Sequence, residues 1–315
     1  MLIEKYPEWN CDTNRYDRES TVNVKQFTNT NPSELNKFED KFENLAFILA
    51  RSLGILRSDK KIFERRTRKS GRINPLYIKD ELIQLYSGRD LTERIYDRRT
   101  NPLREKYKSS MSLGILLDQS GSTRHPADQD SEYRRIDLIK YATLTIGKSL
   151  VNIDDNFFIY SFHTNKSADP TIIEVIKEDN EVYNRTIEQR IAAIEHTGET
   201  PDYNNKDGAA IRYVNEKLLQ NQYKTKYLFL VTDGNPNCDY TYYQNNTAFQ
   251  DTLKAMQEGN SKGIQYVYLT INPENNSENF MRIIADTTQY SKRFTKMKDI
   301  IEGLTLAYES IKLIT

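Results

Sequence analysis

From residue 111 onward, short runs rich in β-branched and aromatic residues alternate with stretches of helical periodicity, and this narrows the fold more than any other feature of the chain. A strand that leads into a helix and then another strand closes by a right-handed crossover, which sets the strands parallel with helices on both faces. The runs predict strands at Ser112–Leu117, Phe157–Phe162, Ile172–Ile176, Tyr227–Thr232, Ile264–Ile271 and Tyr290–Phe294. Helices are expected near Arg135–Leu150, Asn184–Ile194, Gly208–Gln220, Thr247–Gly259, Glu278–Ala285 and Lys298–Leu313. The class is α/β: a doubly wound, mostly parallel sheet flanked by helices over residues 111–315.

Before residue 111 helical signals dominate. Asn31-Pro32-Ser33-Glu34 offers an N-cap, a Pro in the first turn and an early acid. Leu35, Phe38, Phe42, Leu45, Ile48 and Leu49 then recur at three- and four-residue steps, predicting a helix over 32–56 whose apolar stripe needs a partner surface. Residues 1–110 are therefore expected to form a mainly helical N-terminal extension packed on the α/β domain. The basic clusters at 60–72 and 98–108 read as solvated faces, with docking of an acidic partner as the alternative.

Composition limits the partners. Among 315 residues, Lys plus Arg and Asp plus Glu each total 45, so no global electrostatic case exists for nucleic acid or an anionic membrane. The opening MLIEKYPEWN has no apolar core of a secretory signal, and the longest apolar stretch, near 44–56, is broken by Arg51. Cys11 and Cys238 lie far apart, with no Cys-x-x-Cys spacing. The expectation is a soluble cytoplasmic protein with no disulfide framework, no membrane span and no nucleic-acid partner.

In open parallel sheets, sites form beyond the carboxyl ends of the strands. The first expected strand ends in Asp118-Gln119-Ser120-Gly121-Ser122, and the fourth, YLFLVTDGNPN, ends in Asp233-Gly234. Between them Asn204-Asn205-Lys206-Asp207-Gly208 opens a helix. Two carboxylates, two hydroxyls and an amide carbonyl meeting on one edge are hard oxygen donors, suited to Mg²⁺ or Mn²⁺ with several waters retained.

Other chemistry finds little support. No G-x-x-x-x-G-K-[ST] segment is present, so the chain is not expected to hydrolyse ATP itself. Ser120 does not lie in a G-x-S-x-G elbow, and a phosphoryl-transfer aspartate pair would need Asp at 120. His125, His163 and His196 show no ligand or base spacing, and Cys238 has no basic partner in view.

DQSGS, NNKDGAAIR and VTDGNPN together resemble the three parts of the metal-ion-dependent adhesion site of a von Willebrand factor A domain, a Rossmann-like fold. YPEW at 6–9, the segment 71–99, YSFHTN at 160–165, RIAAIEHTGE at 190–199 and 249–272 extend the similarity to the NorD, CbbO and CobT-like group. The resemblance implies metal ligands at Asp118, Ser120, Ser122 and Asp233. Where such domains usually carry a Thr ahead of the third-motif helix, the spacing here falls on Asn205, with Thr200 in HTGETPD as the alternative. It also implies a non-catalytic adaptor that works with a MoxR-type AAA+ ATPase. A MIDAS-held divalent cation would engage an Asp or Glu of a client protein, which the complex remodels, activates or loads with metal. A metal-dependent hydrolase using the same site is the alternative.

Overall fold

The computed structural model describes residues 2–58, 62–67, 72–88, 95–100, 111–128, 131–152, 157–164, 170–196, 205–223, 225–234, 236–238, 242–271, 284–288 and 290–293, with 299, 303, 304 and 306. By compactness the chain divides into one unit of residues 1–53 with 110–315 and a second of residues 54–109.

The first unit is built on β6 (Met111–Asp118), whose run of apolar residues marks it as a strand covered on both faces. Leu113, Ile115 and Leu117 enter one buried cluster and Leu116 the other. Gly114 lies so close to the Phe158 ring that a Cβ would sit 2.7 Å from it. Parallel to β6 run β7 (Phe157–Thr164) on one side and β9 (Thr225–Thr232) on the other, followed outward by β10 (Ile264–Thr270) and β11 (Tyr290–Arg293). Beyond β7 lies β8 (Thr171–Lys177), antiparallel to it. The expected doubly wound, mostly parallel sheet is thus present, and each of its six expected strands appears with ends shifted by two residues or fewer.

One face is covered by α1 (Pro32–Ser58), α3 (Arg135–Asn152) and α4 (Arg185–Ala192). Leu35, Phe38, Phe42 and Leu49 of α1 are buried with Ile139, Tyr141 and Ile187, so the apolar stripe finds its partner surface. On the other face α5 (Asp207–Gln220) and α6 (Asn245–Ser261) bury Ala210, Ile211, Val214, Leu253 and Met256 against Phe158, Tyr160, Leu228 and Leu230. The helices expected at Glu278–Ala285 and Lys298–Leu313 fall largely outside the described residues.

The N-terminal part corrects the expectation of a mainly helical extension bounded at 110. β1 (Leu2–Asn10) and β2 (Arg15–Gln26) form an antiparallel hairpin, and β2 pairs in parallel with β8, so the hairpin extends the main sheet to the order β1-β2-β8-β7-β6-β9-β10-β11. Its period-2 signal is faint because, within β2, the buried residues are Ser20 and Val22. The turn is made by Asn10, whose side chain accepts from the backbone of Asp12 and Thr13, and by Asn14 at φ 54°.

The second unit holds a three-stranded antiparallel sheet, β3 (Ile62–Thr67), β5 (Tyr96–Thr100) and β4 (Arg72–Ile73), in the order β3-β5-β4. It also contains α2 (Pro75–Tyr86), capped by Asn74 accepting from the Leu76 amide at 3.0 Å. The boundary expected at 110 holds only as the point where the chain re-enters the main sheet.

Candidate metal centre

The chain leaves β6 for β7 on one side, while β9 lies on the other, so the carboxyl ends of β6 and β9 flank the point where strand order reverses. Asp118 ends β6 and Asp233 follows β9, and both are fully buried. Asp118 Oδ1 accepts from the Ser120 amide at 2.8 Å, and Oδ2 from Thr232 Oγ1 at 2.8 Å. Ser120 immediately precedes a turn of 3₁₀ helix, Gly121–Arg124, which brings its hydroxyl within 2.9 Å of Ser122 Oγ. Gly234 adopts φ +77°, where a Cβ would lie 2.4 Å from Thr270 Oγ1; only glycine fits the turn that presents Asp233.

The third segment is pinned from two sides. Asn205 pairs with Asn237 through both backbone and side chain: its amide donates to the Asn237 carbonyl at 2.8 Å, and its Oδ1 accepts from the Asn237 amide at 2.9 Å. Its Nδ2 is therefore turned to the carboxylates, 2.9 Å from Asp207 Oδ1 and 3.5 Å from Asp118 Oδ2. Lys206 points the other way, its Nζ 2.7 Å from Glu8 Oε1 of β1 and 3.1 Å from Ser20 of β2. Next to this ion pair, Asp251 accepts from the Trp9 amide and from Tyr243 and pairs with Arg212 at 2.8 Å. The motif residues Asp118, Ser120, Ser122, Asn205 and Asp233 thus stand along one edge, while Thr200 lies outside the described residues.

Three participants escaped the sequence reading. Asp207, in the first turn of α5, is fully buried, and its Oδ2 has no hydrogen-bond partner among the described residues. The signal was present in Asn-Lys-Asp-Gly, but an acid at a helix start reads first as a dipole-complementing residue. Arg135, in the first turn of α3, reaches Asp233 Oδ2 at 3.2 Å, a contact no local pattern announces. Gln119 bridges Ser161 and the Glu195 carbonyl, tying the site to the segment after α4.

Electrostatics mark the edge as acid-rich among the described residues. Burial, then the neighbouring Asp233, pushes the Asp118 carboxyl up to about 7. Burial and the charges of Asp118, Asp233 and Asp251 raise Asp207 well above the carboxylate range. Glu195 differs: burial pulls it upward, but hydrogen bonds from Lys140 and Arg134 outweigh that and hold it low. His163, one residue before the end of β7, is buried, and desolvation pushes its imidazole down to about 4. Cys238 is buried, consistent with an inert thiol.

Among the described residues no group of three or more Asp, Glu, His or Cys side chains is placed where it could hold a metal ion. The donor set is instead mixed: carboxylates of Asp118 and Asp233 with hydroxyls of Ser120 and Ser122. Such a set fits a hard divalent ion that retains waters. Among the described residues no helix is long and apolar enough to cross a membrane.

No model of a known protein family matches the chain. It is 30% identical over 166 residues to the protein NorD of Brucella suis, covering 53% of this chain and 25% of that protein. With NorD of Stutzerimonas stutzeri it shares 31% identity over 170 residues, 54% of this chain and 27% of that protein. The match therefore spans about a quarter of the length of these relatives. The solved VWA domain of SpRpn10 overlays 61% of this chain and 94% of its own at a TM-score of 0.44 and 11% identity. What identifies the fold is the strand order and the antiparallel β8, which stand without that overlay.

Proposed function

We propose that this chain, a NorD-like protein built on a von Willebrand factor A domain, is a non-catalytic adaptor that binds a partner protein through a divalent cation, Mg²⁺ or Mn²⁺, held at the edge between β6 and β9. The observation that carries this reading is the buried carboxylate pair Asp118 and Asp233, placed at the switch point beside two serine hydroxyls on an acid-rich edge. Asp118 is oriented by the Ser120 amide and Thr232, and Asp233 by the glycine turn and Arg135, so both carboxylates are fixed without an ion to position them. Ser120 and Ser122 offer neutral oxygens from one turn of helix. A divalent ion bound by these residues would retain positive charge and an exchangeable water, a position that an Asp or Glu from a client can take.

The partners fitting this reading are a MoxR-type AAA+ ATPase and a client that presents a carboxylate; the work of the complex would be to remodel or activate that client or to insert a metal. Similarity to NorD supports the accessory role. A hydrolase would need a general base beside the ion. Among the described residues, His163 is buried with its imidazole strongly desolvated, and Glu195 is committed to Lys140 and Arg134, so neither is placed for that task.

The test is copurification of the whole chain with a candidate MoxR-type AAA+ ATPase. Wild type should retain the partner in Mg²⁺ and lose it in EDTA, Asp118→Ala should fail to retain it in either, and far-ultraviolet circular dichroism should stay unchanged throughout. Binding that survives both treatments would remove the metal-bridged mechanism.

A further inference from the structure

We infer that the outward side of α2 is a docking surface for a second protein, one that offers an apolar groove with an acidic rim. The contact lies in the unit of residues 54–109 and needs no metal ion.

A surface helix ordinarily turns its apolar stripe inward and its polar residues to water. α2 does the reverse. Tyr77, Asp80, Glu81 and Gln84 recur at three- and four-residue steps, so they share one side of the helix, and that is the half-buried side. Tyr77, Asp80 and Glu81 each have an interaction partner. The opposite side carries Leu76, Ile78, Leu82, Ile83, Leu85 and Tyr86, all exposed: Leu76 by 68%, Ile83 by 54% and Tyr86 by 89%. No residue of α2 is buried. Six large apolar side chains on one side of a helix of 12 residues are unfavourable in water and mark a surface made to be covered.

The helix itself is already fixed. Asn74 accepts from the Leu76 amide, its own amide donates to the Ile95 carbonyl at 2.9 Å, and Ser87 Oγ closes the other end by donating to the Ile83 carbonyl at 2.7 Å. Side chains presented from a fixed helix give up little further freedom on binding.

Charge selects the occupant. Residues 54–109 hold 16 Lys and Arg against 8 Asp and Glu while the whole chain is neutral, so this unit carries +8 and the remainder −8. Arg72, Arg98 and Arg99 belong to the small sheet from which α2 leaves, and Lys79 stands among the exposed apolar positions of the helix. The complementary surface is therefore acidic around an apolar centre, the arrangement of a groove that takes one side of an amphipathic helix. An anionic membrane fits poorly: a helix lying in the interface carries Lys and Arg on its polar side, whereas here that side holds Asp80 and Glu81 and is turned inward. A nucleic acid would engage the basic residues and leave the aliphatic side in water.

The test places photoreactive benzoylphenylalanine at position 78, 82 or 86 of the whole chain in its native host, with position 84 on the inward side as control. One protein should be cross-linked from all three outward positions and not from 84. Purified, that protein should bind the wild-type chain equally in EDTA and in Mg²⁺, and more weakly as salt is raised. Leu82→Glu should lose roughly tenfold or more in affinity, while Val182→Glu, at an exposed apolar residue of the other unit, should lose none. Circular dichroism of Leu82→Glu should match wild type; if that variant fails to fold, Tyr86→Ser takes its place. Absence of a cross-link from the outward positions, or a captured protein that binds Leu82→Glu as tightly as wild type, overturns the inference. So does cross-linking to a second copy of the chain, with a dimer in sedimentation that Leu82→Glu removes. Binding to equimolar phosphatidylcholine and phosphatidylserine vesicles, or to a DNA duplex, that Leu82→Glu abolishes would assign the surface to a membrane or a nucleic acid and overturn it likewise. Capture that depends on Mg²⁺ would assign the contact to the metal edge instead.

Discussion

Two clusters of buried charge meet at the start of α5, one on each side of Lys206, and they are balanced differently. Toward the hairpin, Glu8 is paired with Lys206 and Asp251 with Arg212, which also holds Glu258 at 3.0 Å. Toward the strand ends, Asp118, Asp207 and Asp233 crowd together, with Arg135 paired to Asp233. A buried pair that is complete in itself holds structure, and nothing further is needed to satisfy it. A buried cluster with surplus charge is stable only if it gains protons or a cation, which is how a binding site differs from a scaffold built of the same residue types. The two sit back to back, so the first fixes the segment that presents the second.

Breaking the balanced cluster should have the largest effect on the fold. Lys206→Met leaves Glu8 buried without its partner, and urea unfolding in EDTA should show a loss of about 3–5 kcal/mol. Adding Glu8→Gln should restore much of it, since two neutral groups no longer leave an orphan charge. Were Lys206→Met neutral while Asp118→Ala destabilised strongly, the structural and binding roles would have to be exchanged.

A smaller effect should separate the clusters by pH. The folded-state pKa of Asp118 is raised to about 7 from a model-compound value of 3.8, so over that window the native protein binds more protons than the unfolded chain. Its contribution is fully present below about 4 and is lost as pH climbs toward 7, by at most about 1.4 kcal/mol per pH unit for one proton. Metal-free wild type should therefore fall behind Asp118→Asn as pH rises through that range. Saturating Mn²⁺ should abolish the trend, because the ion favours the ionised carboxylate. Parallel curves for the two proteins without metal would show that Asp118 is not under this strain.

How much of this was legible in the sequence follows from how local each signal is. β6 and β9 are readable because strands covered on both faces are apolar nearly throughout, and Asp118 and Asp233 stand out where those runs stop. The hairpin β1–β2 was not readable as strand, because its buried positions are few and polar residues, Glu8 and Ser20, occupy two of them. Pairing with β8, more than a hundred residues later, is what makes it a sheet element. At the site, residue types were legible and their roles were not. Asn205 looks like an oxygen donor until the Asn237 amide, 32 positions on, turns its carbonyl away. Arg135 enters only because the crossover from β6 returns α3 to the same edge.

The central claim is that the acid-rich edge takes a cation and the balanced cluster does not. Urea unfolding of the whole chain, with and without increasing Mn²⁺, tests this most directly, because an ion bound only by the native state raises stability with its concentration. The wild-type midpoint should rise with Mn²⁺ at constant slope in urea, that of Lys206→Met should rise from its lower starting point, and that of Asp118→Ala should stay where it is in EDTA. A midpoint that does not move in wild type, or that moves equally in Asp118→Ala, would contradict it.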